Sequence, residues 1–329
     1  MTLLDLADNE LRPASPGHDA EHAHAVGSSL CAASANGSAA SGASAASGSA
    51  ASGPHRAGTG KVQELRPGDP RVIGPYRLLG QLGGGGMGRV FLGVSAGGRP
   101  VAVKVIRPEL VADPEFRTRF RREVAAARTV SGLFTALVVD ADTEAPAPWL
   151  ATAYVAGPSL AQAVRDSGPL SADSVLALAV GLAESLAAIH AVGVVHRDLK
   201  PSNVLLAEDG PRVIDFGISW AIEATSLTNA GFVVGSPGFM SPEQAEGGVV
   251  GPPSDMFSLG AVLAFSATGE GPFGGGSTAA LVYRVVHSSP DLSRLPSQVR
   301  PLVERCLAKI PASGPRPSTS SRKPVPAGR

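Results

Sequence analysis

Between residues 76 and 155 the apolar positions come in short runs broken by glycine turns, which is the pattern of β-strands. Arg77 to Leu82 predicts one strand, Phe91 to Val94 a second and Val101 to Ile106 a third, with a turn at Gly97-Gly98-Arg99. Leu137 to Asp140 and Trp149 to Thr152 read as two more. One charged helix interrupts them over residues 114–130, where Phe116, Phe120 and Val124 fall at i, i+4, i+8 on one face. Beyond residue 156 the period changes. A short helix over 159–165 leads to a long apolar one over 171–191, and further helices are expected from Ser254, over 278–287 and over 299–308. The pattern predicts an α+β chain of two unequal lobes, a small β-rich one over 71–155 and a larger helical one over 156–311.

The flanks break this pattern. Residues 1–70 read as a disordered tail: between Cys31 and Gly53 nearly every residue is Ala, Ser or Gly, too little apolar surface to offset the entropy of ordering. Residues 312–329 are polar and rich in Pro and Ser, and read as a second tail. His18, His22 and His24 lack the Cys or carboxylate neighbours that would complete a metal site, so solvated histidines are expected. The 28 basic and 28 acidic residues cancel, and no basic block points to nucleic acid. Two widely separated cysteines, Cys31 and Cys306, show no disulfide framework, and a reduced, cytoplasmic setting is expected. The first residues lack the charged start and apolar run of a signal peptide. Val175 to Val195 is the most apolar stretch, but it carries Glu184 and His190 and reads as a buried helix, so no membrane segment is expected.

The candidate chemistry sits in one stretch. His196-Arg197-Asp198-Leu199-Lys200-Pro201-Ser202-Asn203 places polar residues between the apolar runs 192–195 and 204–206, where a loop can be held rigidly. These residues suit phosphoryl transfer. Asp198 would accept the proton of an attacking hydroxyl, Lys200 would neutralise charge on the moving phosphate, and Asn203 would hold a metal ion. Upstream, Gly83-Gly84-Gly85-Gly86-Met87-Gly88-Arg89-Val90 lies between two predicted strands, so Gly83, Gly85 and Gly88 can bring backbone amides close to phosphates. A strand rather than a helix follows these glycines, which argues against a dinucleotide fold. Lys104, on the third strand, can reach the phosphates. Glu123, preferred over Glu115, is expected to form an ion pair with it. Asp215-Phe216-Gly217, twelve residues past Asn203, would supply a second metal ligand in Asp215.

With these motifs in this order and spacing, residues 76–310 resemble the eukaryotic-like Ser/Thr protein kinases of bacteria, particularly those of actinomycetes with a Gly-Gly-Met-Gly loop. The resemblance implies the two-lobed protein-kinase fold, with ATP and Mg²⁺ (Mn²⁺ as an alternative) bound between the lobes. It implies that Leu82, Val90, Ala102, Thr152 and Tyr154 line the nucleotide site, and that residues 153–157 form the hinge. It further implies protein substrates, autophosphorylation in a transient homodimer, and an activation segment over 218–240 with Ser226, Thr228 and Ser236 as candidate phosphosites that Arg197 would pair with. Glu243 would bridge to an arginine near the C-terminus and Asp255 would bond amides of the catalytic loop.

The C-terminal end departs from the family. Ala308-Lys309-Ile310-Pro311 carries Ile310 where relatives have Asp, and the arginine is displaced to Arg316. Two other readings compete. A pseudokinase, an ATP-binding scaffold on the same fold, would lack one of Lys104, Asp198, Asn203 or Asp215, and all are present. A small-molecule phosphotransferase would lack the glycine loop and the long activation segment, and both occur here.

Overall fold

The computed structural model describes residues 62–216 and 236–309, and in these the two predicted patterns become two lobes. Six strands form one antiparallel sheet: β1 (Val72–Ile73), β2 (Tyr76–Gly84), β3 (Gly88–Val94), β4 (Pro100–Ile106), β5 (Val138–Asp142) and β6 (Trp149–Ala153), in the order β1-β2-β3-β4-β6-β5. Alternation on β4 sorts its side chains to two faces. Val101 and Val103 pack with Phe91, Trp149 and Ala151 on one face, and Tyr76 meets Trp149 edge-on at 5.7 Å between centroids. Ala102, Lys104 and Ile106 take the other face.

Between β4 and β5 run α1 (Pro108–Val111) and α2 (Pro114–Ala127). Asp113 caps α2 by accepting a hydrogen bond from the Glu115 amide at 2.8 Å, and Pro114 opens the first turn where no donor is needed. Its apolar face, Phe116, Phe120 and Val124, closes over Ile106 and Leu150. The helix therefore lies against the same sheet face that carries Lys104.

The large lobe is built on α4 (Ala172–Ala191) and α6 (Pro252–Thr268), with α3 (Leu160–Ser167), α5 (Pro242–Ala245), α7 (Thr278–His287) and α8 (Arg300–Cys306) around them, and a hairpin of β7 (Val204–Ala207) and β8 (Gly210–Val213). Most of α6 is buried on every side, with Leu259 to Ala264 all at 2 % exposure or less except Gly260, which is also buried. A Cβ at Gly260 would stand 2.7 Å from that of Cys306, so glycine sets how closely α6 and α8 approach. Helix α4 is long and apolar enough to cross a membrane, yet Val175, Leu178, Leu182, Leu186 and Ile189 pack into the lobe's core.

Several boundaries differ from the sequence reading. Residues 62–70, read there as tail, join the small lobe: Gln63 pairs with Gln81 through two backbone hydrogen bonds of 2.9 and 2.7 Å, and Asp69 forms an ion pair with Arg89. Strand β2 runs into the glycines as far as Gly84, because pairing with β3 continues to Gly84–Arg89. Helix α2 ends at Ala127, three residues early, and α6 starts two residues early at a proline.

Two outcomes follow from the core. Leu263→Ala removes a fully buried side chain from α6 and should cost about 2–5 kcal/mol in urea unfolding. Burial pushes the Cys306 thiol up to about 12 from 9.0, so it stays protonated in the native chain. In a Cys31→Ser background, iodoacetamide at mildly alkaline pH should alkylate Cys306 only after denaturation.

Candidate active site

The uncovered part of the Lys104 face, the β2–β3 hairpin and the loops around Asp198 and Asp215 enclose a cleft of about 640 Å³. The hairpin is its roof. A Cβ built at Gly83, Gly85 or Gly86 meets nothing within 4 Å, so the backbone there is open on the cleft side. Gly88 serves a different need: a Cβ would stand 2.0 Å from the Val105 carbonyl oxygen, so only glycine lets β3 start this close to β4.

Cross-strand pairing gathers the wall. Val90 lies opposite Lys104, and Ala102 opposite Thr152, so the four share one sheet face with Leu150. Leu82, Val90, Ala102, Thr152 and Tyr154 all line the cleft, as do Gly83, Gly85 and Gly88. Several lining residues escape the sequence reading. Leu205 and Ile214 come from the hairpin beneath, next to Asn203 and Asp215, and Gln162 comes from α3, while Val155 lines the cleft from the expected hinge. The apolar residue preceding Asp215 and the one two places past Asn203 are the only signals that could have marked the first two.

The floor holds the charged groups. Lys200 Nζ is 2.7 Å from Asp198 Oδ2, and Asn203 Nδ2 donates to the Asp198 carbonyl at 2.8 Å and to its Oδ2 at 3.1 Å. Lys104 Nζ crosses from the small lobe to within 3.2 Å of Asp215 Oδ2. Beneath the loop, buried Asp255 accepts from the amides of His196 and Arg197 at 2.7 and 2.8 Å and bonds His190 Nε2 at 2.7 Å. Arg197 and Asp215 are the described non-glycine residues with positive φ, 66° and 59°, a conformation that persists only where surroundings impose it. Such a cleft can hold a polyanion under the glycine roof, with two carboxylates and two ammonium groups at its far end.

One expected contact is replaced. Glu123 does not pair with Lys104; among the described residues Lys104 forms its ion pair with Asp215, and Glu123 Oε1 stands 3.8 Å from Arg197 Nη1. Each cationic group takes the carboxylate its own element brings within reach, and here α2 carries Glu123 toward the catalytic loop. Asp255 makes the expected loop contacts. Glu243 is hydrogen-bonded by the Ser254 hydroxyl. Its expected partner Arg316, with Ser226, Thr228 and Gly217, lies outside the described residues. Ser236 lies at the cleft's edge.

Comparison with known proteins matches residues 76–323 to the family described as "Protein kinase domain". The chain is 54 % identical over 259 residues to the probable serine/threonine-protein kinase PkwA of Thermomonospora curvata, covering 79 % of this chain and 35 % of that protein. It is 53 % identical over 259 residues to the serine/threonine-protein kinase AfsK of Streptomyces coelicolor, covering 78 % and 32 %. The chain thus spans about a third of the length of these curated relatives. A crystal structure of the Mycobacterium tuberculosis PknI kinase domain superposes with a TM-score of 0.53 at 25 % identity, covering 71 % of this chain and 96 % of that one.

Asp255→Ala leaves buried donors on His196 and Arg197 without their acceptor. It should cost about 2–5 kcal/mol, read as a lower urea midpoint, and loosen the loop that carries Asp198.

Proposed function

The chain belongs to the protein kinase family, among the bacterial serine/threonine-protein kinases, and from that premise we propose that its cleft transfers the γ-phosphate of ATP to Ser and Thr hydroxyls of protein substrates. The observation that carries this reading is the convergence of Lys104, Asp198, Asn203 and Asp215, from separate elements of two lobes, on one cleft under an open glycine backbone. Asp198 takes the proton of the substrate hydroxyl, and Lys200, 2.7 Å away, places positive charge beside the same carboxylate. Lys104 binds and orients the nucleotide phosphates. The apolar wall of Leu82, Val90, Ala102 and Leu205 accommodates the base, and Thr152 and Tyr154 border it.

The donor set fits a divalent cation. Asn203 spends its Nδ2 on Asp198, which leaves Oδ1 as its ligand atom, and Asp215 adds a carboxylate oxygen. Mg²⁺, or Mn²⁺ in its place, neutralises phosphate charge when bound there.

The ion pairs describe a resting arrangement. Lys104 is engaged by Asp215, and Glu123 faces Arg197. Phosphorylation at Ser226, Thr228 or Ser236, by a second copy in a transient homodimer, would give Arg197 a stronger partner and return Glu123 to Lys104. The requirement for ATP puts this activity in the cytoplasm. The same pairing also favours the second reading, an ATP-binding scaffold that transfers nothing.

Labelled γ-phosphate from ATP with Mg²⁺, offered to the chain itself and to a basic acceptor protein, separates the two. Transfer should appear on Ser or Thr, fall at least about 100-fold in Asp198→Asn, and vanish with EDTA. Lys104→Met should weaken nucleotide binding in a fluorescent-analogue titration. A folded chain that binds nucleotide but labels neither acceptor establishes the scaffold reading instead.

A further inference from the structure

The hydrogen-bonding of Gln244 connects two parts of the site that neither the motifs nor the cleft explains. Gln244 is 8 % exposed, on the short helix α5 that closes the segment beginning at Ser236. Both ends of its carboxamide are used. Oε1 accepts from the Ser241 amide at 3.2 Å and lies 3.3 Å from the Ser241 hydroxyl. Nε2 donates to the Arg197 carbonyl oxygen at 2.7 Å. These contacts fix the amide's sense, since the flipped form would set oxygen against oxygen and nitrogen against an N–H donor.

Arg197 is where the catalytic loop is most constrained, with φ at 66°. Its N–H is held from one side by Asp255 at 2.8 Å, and its C=O from the other by Gln244. That carbonyl shares a peptide plane with the Asp198 amide, which donates to His196 Nδ1 at 3.3 Å. The orientation of this plane sets the direction in which the Asp198 side chain leaves the backbone. Ser241, fully buried, caps α5 by accepting at its hydroxyl from the Gln244 amide at 3.3 Å, while its own backbone amide orients the Gln244 Oε1.

We propose that Gln244 is a positioning residue for phosphoryl transfer: its carboxamide clamps the Arg197–Asp198 peptide, tying the end of the segment that starts at Ser236 to the proton-accepting carboxylate. The kinetic part of this inference rests on the transfer reading above; the structural part does not.

The discriminating variant is Gln244→Glu, measured in the full chain. It keeps the size of the side chain and an oxygen for the Ser241 amide, but sets a carboxylate oxygen against the Arg197 carbonyl. Expected is a fall in kcat of about 10- to 100-fold, with KM for ATP held within about twofold. Hydrogen–deuterium exchange should rise in 196–203 and stay unchanged in α4. Gln244→Met, which removes the donor without adding charge, should give the same split, whereas Ser241→Ala, which retains the backbone amide that orients Oε1, should keep kcat within about threefold. Unchanged kcat and unchanged exchange in both Gln244 variants overturn the clamp. So does a loss of kcat that merely follows losses in melting temperature and nucleotide affinity. If the wild-type chain transfers no phosphate, the fault lies with the transfer reading, and exchange in 196–203 alone decides the clamp.

Discussion

The site depends on one buried charge. Asp255 has no solvent exposure, and a carboxylate in that position is tolerated only when donors surround it. The donors are the amides of His196 and Arg197 and the ring of His190. The loop is therefore wrapped around an anion that belongs to α6, the most deeply buried helix of the large lobe. This holds Arg197 in a backbone region that a non-glycine residue rarely occupies and presents Asp198 and Asn203 to the cleft from a rigid base. Packing at Gly260 and around Leu263 matters to the chemistry for this reason: it fixes the helix that carries the charge.

The small lobe meets this base through ions as well as through apolar packing, in which Ala127 and Val130 join the large lobe's core. Lys104 reaches down from β4 to Asp215, and Glu123 reaches from α2 to Arg197. Both pairs are largely shielded from water, where Coulombic attraction is less screened than at the surface. An exchange of partners between them needs a displacement of α2 against its cluster with Ile106 and Leu150 and against the core that Ala127 joins. Under the function proposed above, phosphate on the neighbouring segment and a cation at Asp215 would bias that exchange.

Much of this was legible in order along the chain. The period change near residue 156 gave the two lobes. Phe116, Phe120 and Val124 gave the buried face of the charged helix, and the polar loop between apolar runs gave the floor of the cleft. Spacing carried Lys104 and Asp215 because strand alternation and a hairpin turn are local rules. Boundaries were less legible where pairing extends an element, as in β2, or where a segment of unremarkable composition finds an edge to join, as Gln63 does beside Gln81.

By itself the sequence determined the kind of chemistry and the residues able to perform it, because catalytic groups must be of particular types at particular separations along strands and turns. It also set which face of each strand and helix is apolar. Only the tertiary structure decided who pairs with whom. Glu123 and Asp215 are both acids within reach of Lys104 in principle, and the choice between them turns on where α2 docks, which no local pattern records. The same holds for Gln244, whose carboxamide is an ordinary polar group until the fold brings it to the Arg197 carbonyl. Partner choice is a matter of distance across lobes, and distance is set by the packing of the whole chain.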